Sequence, residues 1–159
     1  MNHVVQILPL SNVVIDMDMS SKKRVFEQAG LLFENNHSIA RAQVFDSLFA
    51  REKLGSTGLG QGVAIPHGRV KGIKNALGAL VRMKAPIPFD APDGQGVSLI
   101  FLLMVPDRAT DAHSQTHLQI LAELAEMFSD KVFREQLLTA AVAADLHALI
   151  AEWTSHAAN

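Results

Sequence analysis

The segment that most constrains the fold is the apolar run VSLIFLLMV at residues 97–105. The longest uninterrupted apolar stretch of the chain, LIFLLMVP at 99–106, is far shorter than the roughly 20 residues that a membrane-spanning helix needs. A near-continuous apolar strand is typical of a sheet covered on both faces. A second run, ALGALVRM at 76–83, predicts a neighbouring buried strand. We therefore expect a sheet with helices on both of its faces.

Helical patterns flank these strands on both sides in the sequence. We predict helices over 21–36 (with Ser20 or Ser21 as the N-cap) and 39–53, and three more helices from residue 114 onward. We expect residues 3–15 to be extended and VAIP at 63–66 to form a short strand that ends at Pro66. In the first C-terminal helix, the predicted core-facing stripe is Leu118, Leu121, Leu124, Ala125 and Phe128. The order of helices, then strands, then helices predicts one α/β domain over residues 1–159. We expect its core at about 11–154 and a mixed sheet of about five strands.

Composition excludes several classes of function. The chain has 159 residues and a formal net charge of −2, so it has no strongly basic surface for nucleic acid. It has no cysteine, which excludes a disulfide framework, thiolate metal sites and a thiol nucleophile. The N-terminal segment lacks the basic and apolar regions of a signal peptide. We expect a cytoplasmic protein that does not insert into membranes.

The segment REKLGSTGLGQGVAIPHGR, residues 51–69, is the most informative for chemistry. Its glycines allow sharp turns and close approach to a ligand, and such loops expose N–H groups that suit anions. A Walker A loop is excluded, because Gln61 stands where that motif requires lysine. A dinucleotide fingerprint is excluded, because Val63 occupies its last glycine position. The loop also precedes a strand, whereas both motifs follow one.

His67 and Arg51 are the candidate catalytic pair in this segment. Neutral imidazole is a nucleophile near pH 7. Phosphoryl transfer requires mainly positioning and positive charge around the moving group, and the planar guanidinium of Arg51 would supply that charge. On the alternative interpretation, residues 51–62 are a helix end followed by an ordinary turn, and His67 is a buried structural histidine.

His113 and His117 form a second cluster, four residues apart and therefore on one face of a helix. With His67 they would make a possible zinc site, although the chain has no HExxH motif. Alternatively, one of them is an exposed residue at the start of the helix. In a third interpretation, His117 supports His67 and fixes which ring nitrogen reacts. We favour His117 over His113 for that role, because the apolar helix begins immediately after it.

Three separate motifs carry a family resemblance. The pattern RExxGSTGxGxGxAIPHG, the stretch PIPFDAPDGQGVSLIFLLMVP and the stretch THLQILAELAEMFSD occur in this order. Together they resemble the fructose/mannitol-type enzyme IIA domain of the bacterial phosphoenolpyruvate-dependent phosphotransferase system. Within that family, the chain most resembles the stand-alone nitrogen-regulatory enzyme IIA. We expect a free regulatory or carrier protein, with no IIB or membrane IIC segment after Asn159, in preference to a fused sugar permease.

The resemblance implies roles for particular residues. His67 would be the phosphohistidine, modified on Nε2, His117 the second active-site histidine, and Arg51 the group that stabilises the phosphoryl group. The expected phosphate-binding residues are Ser56, Thr57, Gly58 and Gly60. No metal or cofactor is required on this account. We expect Leu59 and Ile65 to provide apolar docking surface.

The implied function is that of a phosphocarrier. It would accept a phosphoryl group from a phosphorylated histidine carrier protein of the HPr or NPr type and act in nitrogen- or potassium-linked regulation. Its regulatory targets would be transporters and sensor kinases. A sugar-specific enzyme IIA that passes phosphate to a IIB domain is one alternative. A pure interaction module that is switched by phosphorylation and never passes phosphate to a sugar is another, and it overlaps with the regulatory role. A zinc-dependent hydrolase that uses His67, His113 and His117 is the last alternative.

Overall fold

The computed structural model describes residues 2–108 and 111–155, except for the side chains of residues 111–113. The helices in this part of the chain are α1 (His3–Gln6), α2 (Lys22–His37), α3 (Arg41–Glu52), α4 (Asp111–Ser129), α5 (Lys131–Thr139) and α6 (Ala143–Glu152), with a 3-10 turn at Leu10–Asn12. The strands are β1 (Val13–Met17), β2 (Gly58–Gly60), β3 (Val63–Ala64), β4 (His67–Val70), β5 (Leu77–Ile87) and β6 (Val97–Pro106).

The strands form one mixed six-stranded sheet rather than the expected five. Its order is β1-β5-β6-β3-β2, and β4 pairs with β6 beyond β3 along the same edge. The pairs β1–β5, β3–β6 and β4–β6 are parallel, whereas β5–β6 and β2–β3 are antiparallel. This arrangement confirms the predicted single α/β domain with a mixed sheet.

The central strand β6 explains why helices cover both faces of the sheet. Successive side chains of a strand point to opposite faces. Leu99, Phe101 and Leu103 are buried in the cluster that includes residues of α4, α5 and α6. Ile100 and Leu102 are buried in the cluster that includes residues of α2 and α3. Both faces of the strand are apolar because each packs against a layer of helices.

The predicted extended segment over residues 3–15 is wrong for its first part. Residues 3–6 form α1, because the Asn2 side chain accepts a hydrogen bond from the backbone N–H of Val5 (2.8 Å) and caps the turn. The strand begins only at Val13. Helix α2 does begin after the predicted N-cap Ser21, whose hydroxyl accepts from the Arg24 N–H.

The predicted strand over 63–66 is also different in the structure. Strand β3 ends at Ala64, and a separate strand, β4, begins at His67. The carbonyl of Pro66 accepts a hydrogen bond from the Leu103 N–H (2.9 Å), so the chain stays on the edge of β6 across the proline. Proline lacks an N–H but keeps its carbonyl as an acceptor.

The buried face of α4 is rotated relative to the predicted stripe. Ile120, Leu124, Met127 and Phe128 are buried, whereas Leu118 is 67% exposed. None of the helices within residues 2–108 and 111–155 combines the length and the apolarity needed to cross a membrane.

Candidate functional site

His67 is the first residue of β4, opposite Leu103 of β6. Its Nδ1 lies 3.1 Å from the carbonyl oxygen of Ile65, two residues earlier in the chain. A carbonyl oxygen can only accept a hydrogen bond, so Nδ1 must carry the proton. In the neutral ring, Nε2 is then the unprotonated nitrogen with a free electron pair. The local backbone thus selects the nucleophilic atom.

Arg51 lies in the last turn of α3 and reaches this nitrogen. Its Nε–H donates to Nε2 of His67 (3.2 Å), and its Nη1 donates to the carbonyl oxygen of Gly55 (2.9 Å). The guanidinium thus bridges the histidine and the loop that follows α3. A planar fork of donors suits the oxygens of a phosphoryl group.

A close packing contact brings α3 to the edge strand β4. Gly68 faces Ser47 of α3, and a Cβ built at Gly68 would lie 2.3 Å from the Ser47 hydroxyl oxygen. Only glycine permits this approach. It positions the C-terminal end of α3, and therefore Arg51, beside the start of β4.

A cavity of about 630 Å³ lies between α3, β4 and α4. His67, Arg51 and His117 all line it. Arg69 also lines it, two residues along β4 from His67 and on the same side of the strand. The apolar part of its lining is formed by Ala50, Leu54, Leu103, Val105, Leu118 and Leu121. The structure thus brings Arg51 of α3, His117 of α4 and His67 of β4 to one concave site. His113 lies outside the residues whose side chains are described.

The predicted phosphate-binding loop lies next to this cavity. Ser56, Thr57 and Gly58 line a smaller cavity of about 230 Å³ together with Arg51 and His67. Both hydroxyl groups already donate within the protein: Ser56 to the carbonyl of Phe89 (2.6 Å) and Thr57 to the carboxylate of Glu52 (2.6 Å). The Gly58 N–H donates to the Ser56 hydroxyl (3.1 Å).

Gly60 does not join this group. It lines a separate cavity with Phe128, Ser129 and Arg134. It is the last residue of β2, where its φ of 86° favours glycine. The Asp93 carboxylate accepts hydrogen bonds from the N–H groups of Gln61 (2.9 Å) and Gln95 (3.1 Å). These bonds, first of all that from Gln61, hold the pKa of Asp93 below its usual range.

Two exposed leucines beside the cavity, Leu54 and Leu118, were not among the predicted site residues. Leu54 is 84% exposed and Leu118 is 67% exposed, and both line the cavity of His67. Leu59, a predicted docking residue, is 48% exposed beside the Ser56 loop. Ile65, the other predicted docking residue, is only 5% exposed and packs in the core, so it is unsuited to docking. We call Leu54, Leu59 and Leu118 the apolar rim.

Two charged residues beside the loop were not predicted: Glu52, which accepts from Thr57, and Lys22, which donates to Glu52. Single charged residues inside helical patterns normally indicate a solvated face. Within the described ranges, no three histidine, aspartate or glutamate side chains come together as a group that could hold a metal ion.

Comparison with known proteins places this site in a family. The model of the EIIA 2 family of the phosphoenolpyruvate-dependent sugar phosphotransferase system matches residues 6–153. A nitrogen regulatory protein from Pseudomonas aeruginosa is 38% identical over 148 residues, covering 92% of this chain and 94% of the relative. The crystal structure of nitrogen regulatory protein IIA-Ntr from Neisseria meningitidis superposes with a TM-score of 0.85 at 55% identity, covering 92% of this chain and 98% of that chain.

A more distant relative is the fructose-specific EIIABC component of Bacillus subtilis. It is 26% identical over 138 residues, which are 86% of this chain and 21% of that longer protein. This chain belongs to the EIIA 2 family, the class of phosphotransferase-system components that the motifs predicted. Among its relatives, nitrogen regulatory proteins match over nearly their whole length.

Proposed function

We propose that this protein is a phosphocarrier that accepts a phosphoryl group on Nε2 of His67 from a phosphorylated histidine carrier protein. We further propose that it acts in nitrogen- or potassium-linked regulation, with transporters and sensor kinases as its targets. The observation that carries the proposal is the pair of contacts on the His67 ring. Ile65 binds Nδ1, and Nε2 faces the cationic guanidinium of Arg51.

The transfer step balances between two imidazoles. The Nε2 electron pair of His67 attacks the phosphorus of the carrier's phosphohistidine, and the N–P bond of the carrier breaks. The carrier ring, protonated on its other nitrogen, leaves as neutral imidazole. The proton stays on Nδ1 of His67, and the Ile65 carbonyl oxygen that accepts its hydrogen bond stabilises the positive charge that develops on the phosphorylated ring. Because an N–P bond replaces an N–P bond, the step needs little driving force.

Arg51 would act in two stages. In the resting protein its Nε–H occupies the Nε2 electron pair of His67. When phosphorus approaches, this donor shifts to the phosphoryl oxygens, whose charge of about −1.5 to −2 needs compensation. His117 lines the same cavity and would donate to the same oxygens. Ser56, Thr57 and Gly58 would border the group from the adjacent cavity.

The apolar rim supports a protein as the phosphate donor. Leu54 and Leu118 line the cavity of His67 and Leu59 lines the adjacent one, and exposed apolar side chains around a site are typical of docking surfaces. A carrier protein of the HPr or NPr type would cover this rim while it presents its phosphohistidine to His67. The names of the relatives support a regulatory role.

The test is a reconstituted phosphate relay with labelled phosphoenolpyruvate, enzyme I and the carrier protein. We expect the wild-type chain to become labelled and His67→Gln to remain unlabelled. The matched control is His147→Gln, because His147 binds the Leu8 carbonyl away from the cavity. Labelling of His67→Gln at the wild-type rate would overturn the proposal.

A sugar-specific role is the second candidate, supported by the fructose-specific EIIABC relative. In that case, the labelled protein would pass its phosphate to a purified fructose-type IIB domain. We expect slow passage or none. Transfer to IIB as fast as loading from the carrier would replace the regulatory proposal with the sugar-specific one.

A further inference from the structure

We infer that Glu52, held by Lys22, is a positioning residue that sets the orientation of Arg51 toward His67 through the loop at residues 55–57. The inference rests on the proposed phosphoryl transfer to His67. It concerns a carboxylate that faces away from the docking surface, since Glu52 does not line the cavity of His67.

Glu52 is a buried carboxylate with three donors aimed at it. Its side chain is 4% exposed. Its Oε1 accepts from the Thr57 hydroxyl (2.6 Å), and its Oε2 accepts from the Thr57 backbone N–H (3.0 Å) and from the Lys22 ammonium (3.0 Å). An isosteric amide has one acceptor oxygen and no charge, so the Thr57 hydroxyl would have to turn from donor to acceptor and the ion pair with Lys22 would be lost. The present directions of the three hydrogen bonds therefore need the charged carboxylate.

The carboxylate controls the loop that Arg51 uses as its second anchor. Thr57 is bound by both its backbone and its side chain to the last residue of α3, so the intervening turn has little freedom. Gly55 lies in that turn, and its carbonyl accepts from Nη1 of Arg51 (2.9 Å). With Nη1 fixed there, the Nε–H of the same planar guanidinium lies 3.2 Å from Nε2 of His67. Loss of the Glu52–Thr57 contacts would free the Gly55 carbonyl and then the guanidinium.

Lys22 makes this arrangement compatible with an incoming phosphoryl group. An uncompensated buried carboxylate one residue from Arg51 would weaken the positive potential at the site. The Lys22 ammonium pairs with it and also lies 4.7 Å from the centre of the Phe89 ring. The Phe89 carbonyl in turn accepts from Ser56, so the same cluster holds the middle of the loop.

The arrangement also assigns a different role to Thr57 from the one that the sequence suggested. Its hydroxyl proton points to Glu52, so Thr57 acts by holding the loop instead of by donating to phosphate. The two roles differ in how they combine with a change at Glu52. Effects transmitted through one shared contact do not add, whereas independent effects do.

The first experiment compares Glu52→Gln with Glu34→Gln. Glu34 is a matched control, because its carboxylate also binds a backbone N–H and a cation, both of Arg41, on a different part of the molecule. We expect Glu52→Gln to lower the phosphotransfer rate at saturating carrier by about ten- to a hundredfold, with little change in the carrier KM. We expect Glu34→Gln to keep the wild-type rate.

A second readout follows Arg51 directly by NMR. In Glu52→Gln we expect the Arg51 Nε–H proton to exchange with water about tenfold faster or more than in the wild type, because its guanidinium is no longer fixed. Thermal unfolding of each variant shows that the measurement is made on folded protein. A lowered rate with unchanged Arg51 exchange would overturn the inference, and so would an unchanged rate.

The third experiment uses Thr57, which also covers the case in which Glu52→Gln fails to fold. We expect Thr57→Val to lower the rate and Thr57→Ser, which keeps the hydroxyl, to restore most of it. The double variant Glu52→Gln/Thr57→Val should be no slower than the slower single variant. If the two rate reductions multiply in the double variant, Thr57 acts on the phosphoryl group independently of Glu52, which would contradict the shared network.

If the wild type takes up no phosphate, the proposed function fails, while the Arg51 exchange measurement still decides whether Glu52 orients the guanidinium.

Discussion

At the scale of single residues, the site depends on which atoms are already engaged in hydrogen bonds. The Ile65 carbonyl fixes the proton of His67 on Nδ1, and Arg51 divides its donors between His67 and Gly55. One side chain that serves two acceptors in fixed directions needs a planar set of donors. Lysine carries the same charge but offers it as a single point.

Arg51→Lys tests that requirement. We expect the rate of phosphotransfer at saturating carrier to fall by roughly ten- to a hundredfold, because one ammonium cannot bind Gly55 and the phosphoryl oxygens in the same geometry. The carrier KM should change little. Stopped-flow or quenched-flow labelling measures both values, and Arg41→Lys on α3 is the control. A wild-type rate in Arg51→Lys would show that charge alone is sufficient.

At the scale of elements, the site exists because α3 packs tightly on β4. The contact between Gly68 and Ser47 places the end of α3 beside the start of the strand. Helix α4 covers the other side of the cavity with His117 and Leu118. On the proposed function, the separation between α3 and β4 would therefore affect the rate of phosphotransfer as well as stability.

Gly68→Ala should change both properties. The added Cβ would meet the Ser47 side chain and the backbone carbon of Ser47 at 3.1 Å, so α3 must move away. We expect a loss of about 1–3 kcal/mol in the free energy of unfolding and slower phosphotransfer per folded molecule. Gly78→Ala is the matched control, because its Cβ would meet Phe101 in the core instead. It should lower stability while the folded fraction keeps its rate. Equal rates per folded molecule in both variants would contradict the proposed coupling.

The end of α2 should make stability depend on pH. His37 donates from Nε2 to the Asn12 side chain (3.0 Å), and partial burial holds the pKa of His37 below its ordinary value of 6.5. The folded state thus prefers the neutral ring. This stability contribution is complete above pH 6.5 and is lost as the pH falls through the folded-state pKa.

Urea unfolding at a series of pH values measures this contribution. We expect part of the loss of stability below pH 6.5 to disappear in His37→Gln, which keeps a hydrogen-bond donor but cannot be protonated. An identical pH profile in the variant and the wild type would exclude His37 as its source.

At the scale of the whole molecule, the apolar rim surrounds a polar, cationic centre. The rim residues come from the loop after α3, from β2 and from α4, so they form a surface only in the folded chain. On the proposed function, such a surface would select the partner mainly through binding, while the centre would carry out the transfer.

Leu118→Lys tests this division. Leu118 borders the cavity but does not contribute a reacting group. We expect the carrier KM to rise about tenfold or more with little change in the rate at saturation. Val142→Lys is the control, because Val142 is 51% exposed at the start of α6, away from the cavity. A fall in the saturated rate with an unchanged KM would contradict a docking role for the rim.

The sequence predicted much of this architecture because its strongest patterns are local. Apolar runs gave β5 and β6, and Ser21 correctly marked the start of α2. The patterns failed where the chain is short or depends on neighbours: α1, β2 and the separate strand β4. The stripe of α4 was misjudged because Leu118 fits a helical period equally well whether it faces the core or a cavity.

The sequence alone determined the α/β class, the family and the residues His67, Arg51 and His117 as candidates, because motif order and residue chemistry are readable along one dimension. The resemblance implied Nε2 of His67 as the modified atom, but only the tertiary structure decided which groups contact the two ring nitrogens, which hydroxyls are already engaged and which apolar residues are exposed. Those properties depend on contacts between residues distant in the chain, such as Ser56 with Phe89 and Gly68 with Ser47. Packing sets such contacts, and no local pattern encodes them.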